Sequence, residues 1–170
     1  MIVITDTSPI NYLVLTGDID ILAVLFERVV IPQAVADELL DESTPGVVRQ
    51  WIAAPPAWCV IQSPQDPLDP ALAYLGEGER EAIALCQDLG ANALLTDDSR
   101  ARREAQARGI EVIRTLALLE RASLRELVDL PASLARLQET TFYAPQHIID
   151  AMLARHRQRL PPRQPPSPEP

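Results

Sequence analysis

The chain has 170 residues, 47% of them hydrophobic, enough for one domain with a sizeable aliphatic core. Its formal charge is −9 and only 4% of residues are aromatic, which excludes a broadly basic nucleic-acid coat. No apolar run approaches the roughly 20 residues of a membrane helix.

Ile2-Val3-Ile4 is a short β-rich run that ends at Asp6, and the N-terminus meets this acid too early for a signal peptide. A cytoplasmic location is the expectation. Ser8-Pro9 reads as a cap and first-turn proline opening a helix over Ile10 to Leu15, broken by Gly17-Asp18. Ile19 to Phe26 reads as a second helix. Val29-Val30-Ile31 is a strand, and Pro32 starts the helix carrying Glu38. Thr44-Pro45-Gly46 is a turn before a helix over Val47 to Ala53. Trp58 to Ile61 is a third strand, and Ser63 to Pro70 a proline-rich loop. Gly78 to Leu89 is the clearest helix, stopped by Gly90. Ala93 to Thr96 is a fourth strand running into Asp97-Asp98. Ser99 to Arg108 is an arginine-rich helix ended by Gly109, Glu111 to Ile113 a fifth strand, and Leu116 to Leu119 opens another helix. From Leu124 the pattern reads as wholly helical, with Pro145 in the first turn of a last helix reaching about Leu160.

Strand and helix patterns alternate, which specifies an α/β domain with a mainly parallel sheet. The division expected is a core domain over 1–122, a helical extension over 123–160, and a disordered proline-rich tail over 161–170. Cys59 and Cys86 stand in apolar contexts without paired spacing and read as buried free thiols.

The acids carry the chemical signal. In a parallel sheet all strands end on one edge, where ligands bind, so Asp6 and Asp98 would meet there although far apart in sequence. Glu38 can lean back over that edge, and Glu81, in the first turns of its helix, sits where the macrodipole favours an anion. Glu79 and Asp97 are alternates. Carboxylates gathered in one cleft repel unless a cation lies between them, and hard oxygens suit Mg²⁺ or Mn²⁺. Thr7 and Ser8 would cap a helix or support the metal's water. Each acid alone is better read as a helix cap or part of a solvated face; jointly, four placements on one edge favour a site. All positive side chains are arginine, with no lysine in the chain. Arg100, Arg102 and Arg103 directly follow the acid pair, and arginine forks suit the phosphates of a nucleic acid, although a solvated helix face reads as well for each singly.

Ile4-Thr5-Asp6-Thr7-Ser8-Pro9, Val30-Ile31-Pro32 leading to Glu38, Gly78-Glu79-Arg80-Glu81-Ala82-Ile83 and Leu94-Leu95-Thr96-Asp97-Asp98 together resemble a PIN-domain ribonuclease of the VapC toxin type. The resemblance covers roughly residues 1 to 120, with segment order and spacing intact. It implies a PIN-like three-layer α/β/α sandwich, extended here by the C-terminal helices. It also implies a Mg²⁺- or Mn²⁺-dependent endoribonuclease whose catalytic, metal-holding acids fall on Asp6, Glu38, Glu81 and Asp98. A homodimer and a small antitoxin partner follow from the same resemblance. Two departures stand out: Arg114-Thr115-Leu116 replaces a Gly-Thr-Leu turn, and the extension lies beyond the usual toxin core. A phosphoryl-aspartate receiver would want a lysine, and a haloacid-dehalogenase-like phosphatase an aspartate where Ser8 stands. The rival of another class is a catalytically silent PIN-like binding or regulatory module.

Overall fold

In the computed structural model, which describes residues 1–159, Ile2–Thr5 (β1), Arg28–Pro32 (β2), Cys59–Gln62 (β3), Ala93–Leu95 (β4) and Glu111–Ile113 (β5) form one sheet. Its order is β3-β2-β1-β4-β5, and every neighbouring pair is parallel. β1 is therefore the centre. The chain builds outward from it to β2 and β3, then crosses back to lay β4 and β5 on the other side. That reversal opens a crevice at the carboxyl ends of β1 and β4, the place where open α/β sheets bind ligands.

Nine helices cover the sheet among the described residues: Thr7–Thr16 (α1), Ile21–Leu25 (α2), Gln33–Leu40 (α3), Gly46–Ala53 (α4), Glu77–Asp88 (α5), Ser99–Ala107 (α6), Thr115–Leu124 (α7), Leu130–Gln138 (α8) and Gln146–Arg159 (α9). Strand side chains alternate between two apolar cores, as a pleated sheet requires. Val3, Val29, Ile31, Ala93 and Leu95 face the larger core, with Ile10, Leu13, Val35, Leu118, Leu134 and Ile149. Ile4, Val30 and Leu94 face the smaller one, with Ile83 and Leu85 of α5 and Ala105 of α6. Each fully buried Leu or Ile contributes about 2 kcal/mol. The result is an α/β/α sandwich with an all-parallel sheet. Cys59 and Cys86 are buried free thiols whose surroundings push their pKa values up to about 12. No helix among the described residues is long and apolar enough to cross a membrane.

Local differences from expectation have physical causes. α1 begins at Thr7 because Asp6, in extended conformation, accepts from the Thr7 amide; Ser8 and Pro9 lie inside its first turn rather than capping it. α2 is shorter than the apolar run Ile19 to Phe26. The segment after Leu124 is not continuously helical. Glu126 takes a positive φ of 59°, Asp129 caps α8 through the Ala132 amide at 2.9 Å, and residues 139–145 form a loop before α9. α8 and α9 pack into the same core as α1 and α7 through Leu130, Leu134, Leu137, Ile149 and Met152. Arg136 fixes α8 to the end of α1, donating to the Thr16 carbonyl at 2.7 Å and to Asp18 at 2.8 Å. The tail expected over 161–170 lies outside the described residues.

Candidate active site

Asp6 follows the central strand directly, and its amide donates to the Leu95 carbonyl at 2.9 Å, extending the β1–β4 pairing by one residue. Its carboxylate is almost fully buried. Oδ1 accepts from the Thr7 amide at 2.7 Å and Oδ2 from the Thr96 hydroxyl at 2.9 Å. These bonds lower its pKa, but burial outweighs them, and the charges of Glu79 and Glu38 act with burial, so the carboxyl rises from 3.8 to about 6. Thr96 Oγ1 also accepts from the Asp98 amide at 3.2 Å, so one hydroxyl ties together the ends of β1 and β4.

Asp98 caps α6, accepting from Arg100 N at 2.7 Å and Ala101 N at 2.9 Å through one oxygen. Glu79, in the first turn of α5, accepts from Gly76 N at 3.1 Å and so satisfies the amide of the N-cap residue, which as glycine has no side chain to return the bond. Burial raises its pKa, with the charges of Asp98 and Glu38 adding to the effect. Glu38 is drawn over the sheet edge by the Thr7 hydroxyl, which donates to Oε2. α3 and α5 approach closely here because Gly78 lacks a side chain: a Cβ at that position would stand 2.8 Å from Val35 Cγ2 and 3.2 Å from Glu38 Oε1.

Asp6, Glu38, Glu79, Asp97 and Asp98 thus line one open cleft of about 540 Å³, together with Thr7 and Ser8. The amino ends of α1, α5 and α6 all carry one of these acids, and their positive dipole ends offset part of the mutual repulsion.

Two expectations change. Glu81 does not line this cleft. It borders a neighbouring notch, where its carboxylate accepts from the Ala34 amide at 2.9 Å. Pro32 supplies no side-chain cap to α3, so Glu81 satisfies that helix start from another element. Glu79 takes the cleft position instead, because residues two apart on a helix point about 200° apart. Asp97 lines the cleft, yet both its oxygens are engaged by Thr115, at 3.1 Å from the amide and 2.6 Å from the hydroxyl.

Arg100, Arg102 and Arg103 are not among the residues lining the cleft. Arg100 is near enough to Glu79 to lower its pKa, whereas Arg103 acts on Tyr74. The cation in the cleft wall is Arg114, with its guanidinium 3.9 Å from Asp97. The sequence reading also missed Tyr12, Thr141, Phe142 and Tyr143, which complete the wall from α1 and the α8–α9 loop.

The sequence pattern of a PIN-domain family, DUF3368, matches residues 2–158. The chain belongs to this PIN-domain family. The match runs through α8 and α9, and PIN domains are generally nucleases. No curated protein is significantly similar to the chain. Among solved structures, a PilT N-terminus domain protein from the hyperthermophilic archaeon Sulfolobus solfataricus P2 overlays 85% of this PIN domain and all of its own chain, with a TM-score of 0.47 and 14% identity.

PIN domains typically bind divalent metals, and the donors present here fit such an ion chemically. They are hard carboxylate oxygens, which suit Mg²⁺ or Mn²⁺ rather than softer ions. Among the described residues no three His, Cys, Asp or Glu side chains stand close enough together to share a metal ion as they are placed. Mg²⁺ does not demand three, since it usually keeps waters and uses one or two carboxylates plus substrate phosphates.

Proposed function

We propose that this PIN domain is a metal-dependent endoribonuclease that hydrolyses RNA phosphodiester bonds, acting as the toxin of a toxin–antitoxin pair. The observation that carries the reading is the convergence of Asp6, Glu38, Glu79 and Asp98 in one cleft with Arg114 as its lining cation. Asp6, Glu79 and Asp98 would hold Mg²⁺ or Mn²⁺, with Glu38 beside them. Such an ion, when bound, lowers the pKa of water and neutralises charge on a phosphate.

The chain's own residues do the rest. Thr96 and Thr7 fix the orientations of Asp6 and Glu38, so the carboxylates are positioned before substrate arrives. Burial of Asp6 strengthens its own charge interactions with whatever cation meets it there. Arg114 offers a guanidinium to a phosphate. A homodimer and a small antitoxin that blocks the cleft accompany the toxin reading.

The test is cleavage of varied RNAs with Mg²⁺ or Mn²⁺ by the wild type, Asp6→Asn, Glu79→Gln and Asp98→Asn. Wild-type cleavage lost in the variants and abolished by chelation is expected. Equal cleavage by all four proteins would sink the assigned site. The second reading, a silent binding module, is favoured by the hydrogen bonds that Asp97 and Asp98 already make to helix starts. RNA binding without cleavage by the wild type would select it.

A further inference from the structure

Tyr143 has 84% of its surface in solvent, the highest value among the exposed large hydrophobic side chains described, and it lines the acidic cleft. A single exposed ring is ordinary on a protein surface; what sets this one apart is its place on the rim of the acidic cleft, on a loop held by several contacts. The loop that presents it is well fastened. Phe142 meets Tyr12 edge to face, with centroids 4.9 Å apart and planes at 84°. Tyr12 and Thr141 hydroxyls lie 3.2 Å apart, and Thr140 Oγ1 accepts from Phe142 N at 3.1 Å while donating to the Leu137 carbonyl at 2.6 Å. The chain has few aromatic residues, yet Tyr12, Phe142 and Tyr143 all gather at this one cleft. Tyr12 and Phe142 hold each other; Tyr143 is left facing outward. On the same cleft Arg114 keeps its side chain 49% exposed.

We propose that Tyr143 is a stacking platform for a base of the RNA strand beside the phosphate held at the acids, with Arg114 binding an adjoining phosphate. This rests on the ribonuclease reading above. A ring exposed on a fixed backbone stacks any base, because every base has a π face, and it requires that base to be unpaired. Tyr143 thereby sets which strands enter productively: flexible, unpaired segments are accepted and stacked duplex is refused. The nearby guanidinium supplies the charge that stacking lacks.

Steady-state cleavage of a short single-stranded RNA by the wild type, Tyr143→Phe, Tyr143→Leu and Tyr143→Ala tests the assignment, since an exposed residue can be replaced without unfolding the chain. Tyr143→Phe should keep KM within about twofold, while the Leu and Ala variants raise KM about tenfold with kcat little changed. An RNA carrying 2-aminopurine should show fluorescence quenching on binding to the wild type and Tyr143→Phe only. Wild-type KM in Tyr143→Ala, or full rescue by Tyr143→Leu, would overturn the stacking role while leaving the ribonuclease reading intact. A switch of Tyr143→Ala from dimer to monomer by light scattering would overturn it too, assigning the ring to an interface between copies. If the wild type itself fails to cleave, the ribonuclease reading falls and this inference falls with it.

Discussion

The Thr96 hydroxyl donates to Asp6 Oδ2 at 2.9 Å and accepts from the Asp98 amide, so a buried threonine at the end of β4 holds the central carboxylate at the end of β1. Thr96→Val keeps the shape and removes the donor. The variant should lose about 1 kcal/mol of stability. It should also bind Mn²⁺ about tenfold more weakly, as loss of a supporting hydrogen bond to a metal-holding carboxylate does. Isothermal titration with Mn²⁺ reads this; unchanged affinity would remove Thr96 from the site.

Asp6 makes stability depend on pH in an unusual direction. Its folded pKa, about 6, lies above the ordinary 3.8, so the native state penalises the charged form. That penalty is complete above pH 6 and is relieved as pH falls from about 6 towards 3.8, where the folded chain takes up a proton before the unfolded one does. The gap between 3.8 and about 6 corresponds to about 3 kcal/mol. In chelator, Asp6→Asn should therefore be more stable than the wild type at pH 8, with the advantage fading near pH 4. Urea melts at both values check it, and an Asn variant less stable at pH 8 would contradict the burial argument.

A cation that offsets this penalty should stabilise the wild type. Millimolar Mn²⁺ is expected to raise its Tm, and EDTA to reverse the rise, because binding to the native state alone adds stability by mass action. Asp6→Asn should show a much smaller increment in differential scanning calorimetry.

Glu79 and Glu81 should separate cleanly. Glu79→Gln is expected to lower metal-dependent cleavage by at least about 100-fold with a normal fold. Glu81→Ala leaves the Ala34 amide without its acceptor and should cost about 1 kcal/mol of stability, with cleavage retained. The opposite pattern would return Glu81 to the catalytic set.

Gly78→Ala brings a methyl group against Val35 and Glu38, both on α3. The strain should cost about 1–3 kcal/mol and displace Glu38, lowering kcat more than the stability loss explains. A crystal structure of the variant showing α3 and Glu38 unmoved would refute the account.

The α/β alternation was plain in the sequence because each strand is a short β-branched run and each helix has a local stop, such as Gly90 after α5 or Gly109 after α6. Asp6 and Asp98 were legible for the same reason: each follows a strand and opens a helix. The choice between Glu79 and Glu81 was not, since both lie close to the helix start expected at Gly78 and no local pattern separates them. Which one meets the cleft depends on how Gly78 docks against α3, a tertiary fact. The arginines of α6 misled because proximity in sequence to Asp98 says nothing about which side of the helix they occupy. Arg114 reaches the cleft from the junction of β5 and α7, and Phe142 and Tyr143 from the α8–α9 loop, and no local pattern marks that return. The bias against helix just before Pro145 was the available signal for the loop.

β1 is flanked by β2 and β4, and Asp6 carries that pairing one residue further through its amide. Fraying at the sheet's edges begins at β3 and β5, and the centre is the last part such openings reach. Amides of β1 and of Asp6 should accordingly exchange with solvent only through the rarest, near-global openings. The carboxylate at the heart of the cleft is thus anchored to the slowest-breathing segment of the chain, and its position lasts as long as the fold itself.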